Sequence, residues 1–191
     1  MKKIIILAIS IVLATAMVAC GNRNAKKSVT TESATEVAVM DVDALLEGAE
    51  TLAGQEVEVE AICTHLCSHG ATKMFLMGSD DSKTLRVEAA KLGAFNQKCA
   101  NSIVKVKGIL MEERLDEAYL QKWEQAEGIE HHGDGEGGCS TEKAARGETA
   151  NTTAERIADF RARIAAREQA EGKAYLSFYF IEAISYEIIE G

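Results

Sequence analysis

Between residues 63 and 69 the sequence places a cysteine or histidine at every second position: Cys63, His65, Cys67 and His69. Thiolate sulfur and imidazole nitrogen are soft donors suited to zinc, copper or haem iron, so one chemistry this run offers is ligation of a transition metal or haem. In a continuous strand the four side chains point the same way, but they spread over about 20 Å, too far for one ion. A shared site therefore needs a turn or bulge near Leu66, and Gly70 makes such a bend feasible. Cys99 or His69 would complete the shell. A second chemistry is thiol exchange by Cys63 and Cys67, which requires an exposed pair with a lowered thiol pKa. The third is structural. Setting Cys20 aside, Cys63, Cys67, Cys99 and Cys139 allow three complete disulfide pairings, and sequence does not choose among them. A Cys63–Cys67 bond fails in a straight strand, where the α-carbons stand roughly 13 Å apart, and needs a tight turn. A Cys63–Cys99 bond would constrain about 36 residues, an entropic effect of roughly 3 to 4 kcal/mol in a model-dependent treatment.

A second group, His131, His132 and Cys139, lies in a glycine-rich stretch with Asp134 and Glu136. These residues could assist a metal, although adjacent histidines in such a loop read more simply as exposed polar groups, and Cys139 could equally tie the loop to the barrel. Trp123, Tyr175, Phe178, Tyr179, Phe180 and Tyr186 read as packing residues before ligand-stacking ones. The sequence has no Cys-x-x-Cys-His, HExxH or GxSxG motif and no glycine-rich nucleotide loop. No pattern supports catalysis.

The elements that would position these groups begin after a distinctive leader. Lys2 and Lys3 precede a fifteen-residue apolar run from Ile4 to Val18, short for a membrane span, and small Ala19 stands before Cys20. Met17, Val18, Ala19 and Cys20 resemble the bacterial lipobox. That resemblance implies a signal peptide over residues 1–19 and lipidation of Cys20. Residues 20–40 then form a flexible tether, and residues 41–191 the domain. It also implies a lipid-anchored protein of the bacterial cell envelope, facing the periplasm rather than the cell surface, with the bilayer as one partner through Cys20. At 191 residues, 47% apolar and 27% charged, the chain can bury an ordinary single-domain core. Its formal charge of -9, more negative once Lys2 and Lys3 depart, argues against nucleic acid as a partner.

Within the domain, Leu45, Leu46, Ala49 and Leu52 predict a helix over 42–52, which Gly54 ends. Val57, Val59 and Ala61 alternate with Glu56, Glu58 and Glu60, the period-two signature of a strand with one wet face. Strands are also expected over 73–77, 84–88 and 102–111, the last with Val104, Val106, Gly108 and Leu110 on one parity, and over 174–189. Helices are expected over 89–97, 112–127 and from a Thr152–Glu155 capping box to residue 171, with a mobile loop over 130–147.

This order of three strands, a helix, a strand, a helical insertion at 112–171 and a closing strand resembles the five-stranded OB-like barrel, so the fold class is mainly β with a helical insertion. The glutamate-valine strand at 55–62, the cysteine-containing turn at 63–70 and the strand at 73–77 are also similar to small periplasmic OB-fold proteins and lipoproteins of the Bacteroidota, a family of uncharacterised function. Fold alone does not choose an activity. The leading expectation is a membrane-tethered extracytoplasmic OB-fold binding module for a periplasmic protein or small ligand. The alternatives are a metal- or haem-handling protein and a thiol redox protein.

Overall fold

The computed structural model describes residues 38–80, 83–127, 140–150 and 152–189. Cys20, His131, His132 and Cys139 lie outside the described residues. Asp41 caps the first helix, α1 (Val42–Leu52), by accepting a hydrogen bond from the Ala44 amide at 2.7 Å, and Val42, Leu45 and Ala49 face inward. Ahead of it, β1 (Val39–Met40) pairs in parallel with β2 (Glu56–Leu66). The last two residues expected to be tether are thus held by main-chain pairing.

The barrel is built from β2, β3 (Lys73–Met77), β4 (Thr84–Glu88), β5 (Ile103–Asp116) and β6 (Tyr175–Ile189). The pairing order is β2-β3-β4-β6-β5, and β5 returns to β2, so five strands close on themselves with β1 outside. Within the barrel, all pairs are antiparallel except β4 with β6, where Arg86, Val87 and Glu88 run alongside Phe180, Ile181 and Glu182. The OB-like barrel expected from the sequence is therefore the fold. Closure follows from alternation: Val57 and Val59 on β2 and Val104, Val106 and Leu110 on β5 are fully buried, while the intervening glutamates and lysines face water. Leu76, Leu85, Val87 and Ile181 fill the interior with them, and α1 adds Leu45.

Two departures from the sequence reading bear on what the barrel presents. The expected helix at 89–97 is instead two 3-10 turns, Ala90–Leu92 and Gln97–Cys99. The Ala89 amide donates to the Thr72 carbonyl and the Phe95 amide to the Ala71 carbonyl, so tertiary partners take the donors a helix would use. The insertion also begins later than expected. Residues 111–116 continue β5, paired with 175–180 of β6 as a long hairpin. Only then does Asp116 accept from the Tyr119 amide at 2.8 Å and start α2 (Glu117–Glu127).

The expected loop at 130–147 contains a short helix, α3 (Ser140–Ala145). Next comes α4 (Thr153–Glu171), whose Thr152–Glu155 capping box has both reciprocal hydrogen bonds, as the sequence predicts, and whose C-cap Gly172 is left-handed. A second core lies between α2, α4 and the hairpin. It consists of Leu115, Leu120, Ile157, Phe160 and Ile164, with Trp123, Leu176 and Phe178 packed against it. The insertion thus has an apolar core of its own.

Candidate binding face

Alternation on β2 is kept as far as Cys63, which points into the barrel and is fully buried. The register against β3 then shifts between Cys63 and His65, so that Cys63 faces Leu76 and His65 faces Phe75, with Thr64 as the extra residue. This bulge falls nearer Cys63 than the bend at Leu66 that a shared site would need, and it separates the cluster. Leu66 takes the buried position, whereas His65 turns outward to lie against the Phe75 ring at 5.7 Å. Cys67 is half-buried at the start of a turn, with the Ala71 amide donating to its carbonyl, and His69 is exposed beside Ser68. Among the described residues no group of three or more Cys, His, Asp or Glu side chains is placed to hold a metal ion.

Cys63 and Cys99 do come together in the core, and Cys63, Cys67 and Cys99 are free thiols in this structure. Burial, and secondarily the neighbouring Cys99, push the Cys63 thiol up to about 11; burial raises Cys99 as well. A buried, protonated thiol is neither a ready nucleophile nor a ready metal ligand at neutral pH.

The polar groups that do converge lie on the outer face of β3, β4, β6 and β5, and none was singled out in the sequence. In the pairing register, Phe75 stands beside Arg86, Arg86 beside Phe180, and Phe180 beside Met111, forming one row across the sheet. Helix α3 lies over it and inserts Glu142. Both carboxylate oxygens of Glu142 accept from Lys73 Nζ, at 3.0 and 2.9 Å, and one also accepts from Arg86 Nη1 at 2.8 Å. Glu113 of β5 accepts from Arg86 Nη2 at 3.1 Å and from Arg146 Nη2 at 2.9 Å. The guanidiniums lie over aromatic faces, Arg86 at 4.5 Å from the Phe180 centroid and Arg146 at 5.4 Å from that of Phe178.

Arg86 is only 9% exposed, and its Nε makes no hydrogen bond, although Glu88 Oε1 is within ion-pair distance at 3.4 Å. Three cations, Lys73, Arg86 and Arg146, meet three carboxylates, Glu88, Glu113 and Glu142, so the cluster is self-neutralised and is no vacant anion site. Desolvation of such a network roughly cancels its Coulombic gain, whereas removing one partner is expensive. The cluster therefore fixes where α3 sits. Beside it, a recess of about 290 Å³ opens between α2 and the ion pairs, lined by Lys73, Tyr119, Trp123, Glu142 and Arg156. Another of about 210 Å³ lies toward α1, with Leu46, Phe178 and Tyr179 on its wall. A third, of about 430 Å³, opens directly over the ion pairs, lined by Lys73, Arg86, Glu113, Glu142 and Phe180.

No family model and no curated protein matches the chain. Among solved structures, a putative aspartyl-tRNA synthetase from Leishmania major Friedlin aligns at 16% identity and a TM-score of 0.29. That alignment covers 44% of this chain and 18% of the synthetase chain. A similarity at this level carries no functional argument. Among the described residues no helix is long and apolar enough to cross a membrane.

Glu142 supplies a pH test of the cluster. Burial pushes its carboxyl up, but the Lys73 hydrogen bond and the charges of Lys73, Arg86 and Arg146 outweigh this and hold it below the ordinary 4.5. Its contribution is therefore present in full above the ordinary value and is lost as pH falls through the depressed one. Hydrogen exchange of residues 140–146, corrected for intrinsic rates, should show α3 protected at neutral pH and released at an acid pH below the ordinary carboxylate range. Glu142→Gln should release it at neutral pH. The cost should be about 2 to 3 kcal/mol, less than for a fully buried pair because the Lys73 side chain is 31% exposed. Equal protection in both proteins at both pH values would rule out the clamp.

Proposed function

We propose that the chain is a membrane-tethered, extracytoplasmic OB-type binding module that presents the outer face of β3, β4 and β6, together with its helical insertion, to a protein partner. The observation that carries this reading is the position of the insertion. It joins the fourth and fifth barrel strands, has its own apolar core, and lays α3 over the strand face that OB barrels commonly use for ligands. The barrel interior, in contrast, is filled by apolar side chains. Recesses open to solvent and a self-neutralised charge cluster favour an extended protein surface over a small ligand. The half-buried Trp123, the exposed Tyr119 and arginines stacked on aromatics are residue types that anchor protein interfaces. The basic start, apolar run and Cys20 support attachment to the envelope membrane.

The test uses the full-length chain in its bacterial membrane. A photo-cross-linking side chain at Tyr119 should give a discrete protein adduct, while the same probe at Glu60, an exposed position on β2, should give none. Labelled fatty acid should enter the wild type and be absent from Cys20→Ala. A chain that takes up no label at Cys20 removes the tether. Equal adducts from Tyr119 and Glu60, or none from either, remove the binding face.

A further inference from the structure

Cys63 and Cys99 are drawn together by main-chain geometry. The Cys63 amide donates to the Ser102 carbonyl at 2.9 Å, and the Asn101 amide donates to the Cys63 carbonyl at 2.7 Å. The segment that leads into β5 is thereby fastened to Cys63 through both the amide and the carbonyl of that residue. The same segment is folded tightly back on itself. The Ser102 amide donates to the Cys99 carbonyl at 3.0 Å, its hydroxyl donates to the Lys98 carbonyl at 2.8 Å, and Asn101 takes a left-handed φ of 62° to make the turn. Cys99 is thus held within a tight turn of the residues bonded to Cys63. Both side chains are fully buried in one apolar cluster. Cys67 has a different setting, beyond the bulge and half-exposed at the head of the Cys67–Ala71 turn.

We propose that Cys63 and Cys99 are a modification site, an intrachain disulfide pair that fastens the turn before β5 to β2. This inference is independent of the binding face and of the membrane anchor. In the bridging step each thiol loses one proton and one electron and an Sγ–Sγ bond forms. The oxidant is a disulfide such as glutathione disulfide, whose S–S bond is broken and which leaves as two thiols. The site suits a lasting bond rather than a cycling one. Both sulfurs are shielded from solvent, so an exchanging thiol reaches them only when the turn or the barrel opens. Oxidation belongs to folding, and reduction to unfolding.

The full-length chain, reduced and denatured in detergent, is refolded with glutathione disulfide, and its free thiols are then alkylated under denaturing conditions before digestion and mass analysis. The expected product joins the Cys63 and Cys99 peptides, two hydrogens lighter than their sum, with Cys67 alkylated. The bond should resist dithiothreitol in the folded protein and yield at once in denaturant. Oxidation should lower the unfolding equilibrium constant on the order of several hundred-fold for a loop of this length. In Cys63→Ala and Cys99→Ala that difference between oxidised and reduced protein should vanish. Should either variant fail to fold, the wild-type peptide map still decides. Cys63 and Cys99 both alkylated after refolding, or Cys63 joined to Cys67, would overturn the proposal, and rapid reduction of the folded protein would replace a lasting bond with an exchanging pair.

Discussion

Gly108→Ala should cost about 3 kcal/mol or more, lowering the denaturant midpoint and the melting temperature by roughly 6 to 12 °C. Gly108 sits where β5 and β6 change register, and Ile184 is the extra residue on β6. A Cβ at Gly108 would overlap the Glu182 carbonyl oxygen and Ile181 Cγ2, with the Glu182 carbonyl carbon at 3.0 Å. The obstruction is mostly backbone of the paired strand, which cannot rotate away as a side-chain terminus can. Relief requires β5 and β6 to part where the barrel closes. Gly48→Ala makes the control. There a Cβ meets only the end of the Leu52 side chain, 3.1 Å away, in the interior of α1, where alanine gains about 1 kcal/mol of helix propensity. That variant should be neutral or slightly more stable. A similar loss in both variants would mean that the close β5–β6 approach is not what Gly108 serves.

Phe160→Ala should have a comparable energetic effect confined to a different place. Phe160 is fully buried between Trp123 and Phe178, with ring centroids 6.3 and 6.0 Å away, and removal of a buried phenylalanine costs about 3 to 5 kcal/mol. Its contacts lie in the insertion core and not in the barrel interior. Amides of α4 should therefore lose exchange protection while those of β2 and β3 keep theirs. Trp123 is the single tryptophan, so its emission should shift to the red and report the insertion alone. If the binding reading is right, the adduct at Tyr119 disappears with the barrel intact. Concerted loss of protection in barrel and insertion would show instead that they form one cooperative unit.

The barrel was largely legible in the sequence because its evidence is local and periodic. Val57 and Val59 against glutamates, and Val104, Val106, Gly108 and Leu110 on one parity, state which side faces in, and the Thr152 capping box marks the start of α4. The bulge at Thr64 was not legible. No glycine or proline flags it, and the register is set by the partner strand β3, which no local pattern encodes. Since every assignment of the Cys63–His69 run to one side depended on unbroken alternation, one extra residue redistributed the whole cluster. Residues 112–116 illustrate another limit: their charge and Leu115 fit a helix, yet β6 supplies a pairing partner that keeps them extended. The cluster around Arg86 was missed for a plainer reason. Lys73, Arg86, Glu113, Glu142 and Arg146 are scattered along the sequence, and each alone reads as an ordinary surface charge. The one local hint is Arg86 itself, between Leu85 and Val87 in a strand whose neighbours are buried.

The position of the last strand has a consequence for how the molecule comes into being. Because β6 lies between β4 and β5, a nascent chain still lacking Tyr175–Ile189 has an open sheet with a bare edge on each of those strands. Such edges invite pairing with another chain. Ribosomal synthesis makes β2 to β5 before β6, so the seam can shut only once residues 175–189 have been added. Until then the growing polypeptide remains unclosed, and depends on whatever shields its edges from neighbours.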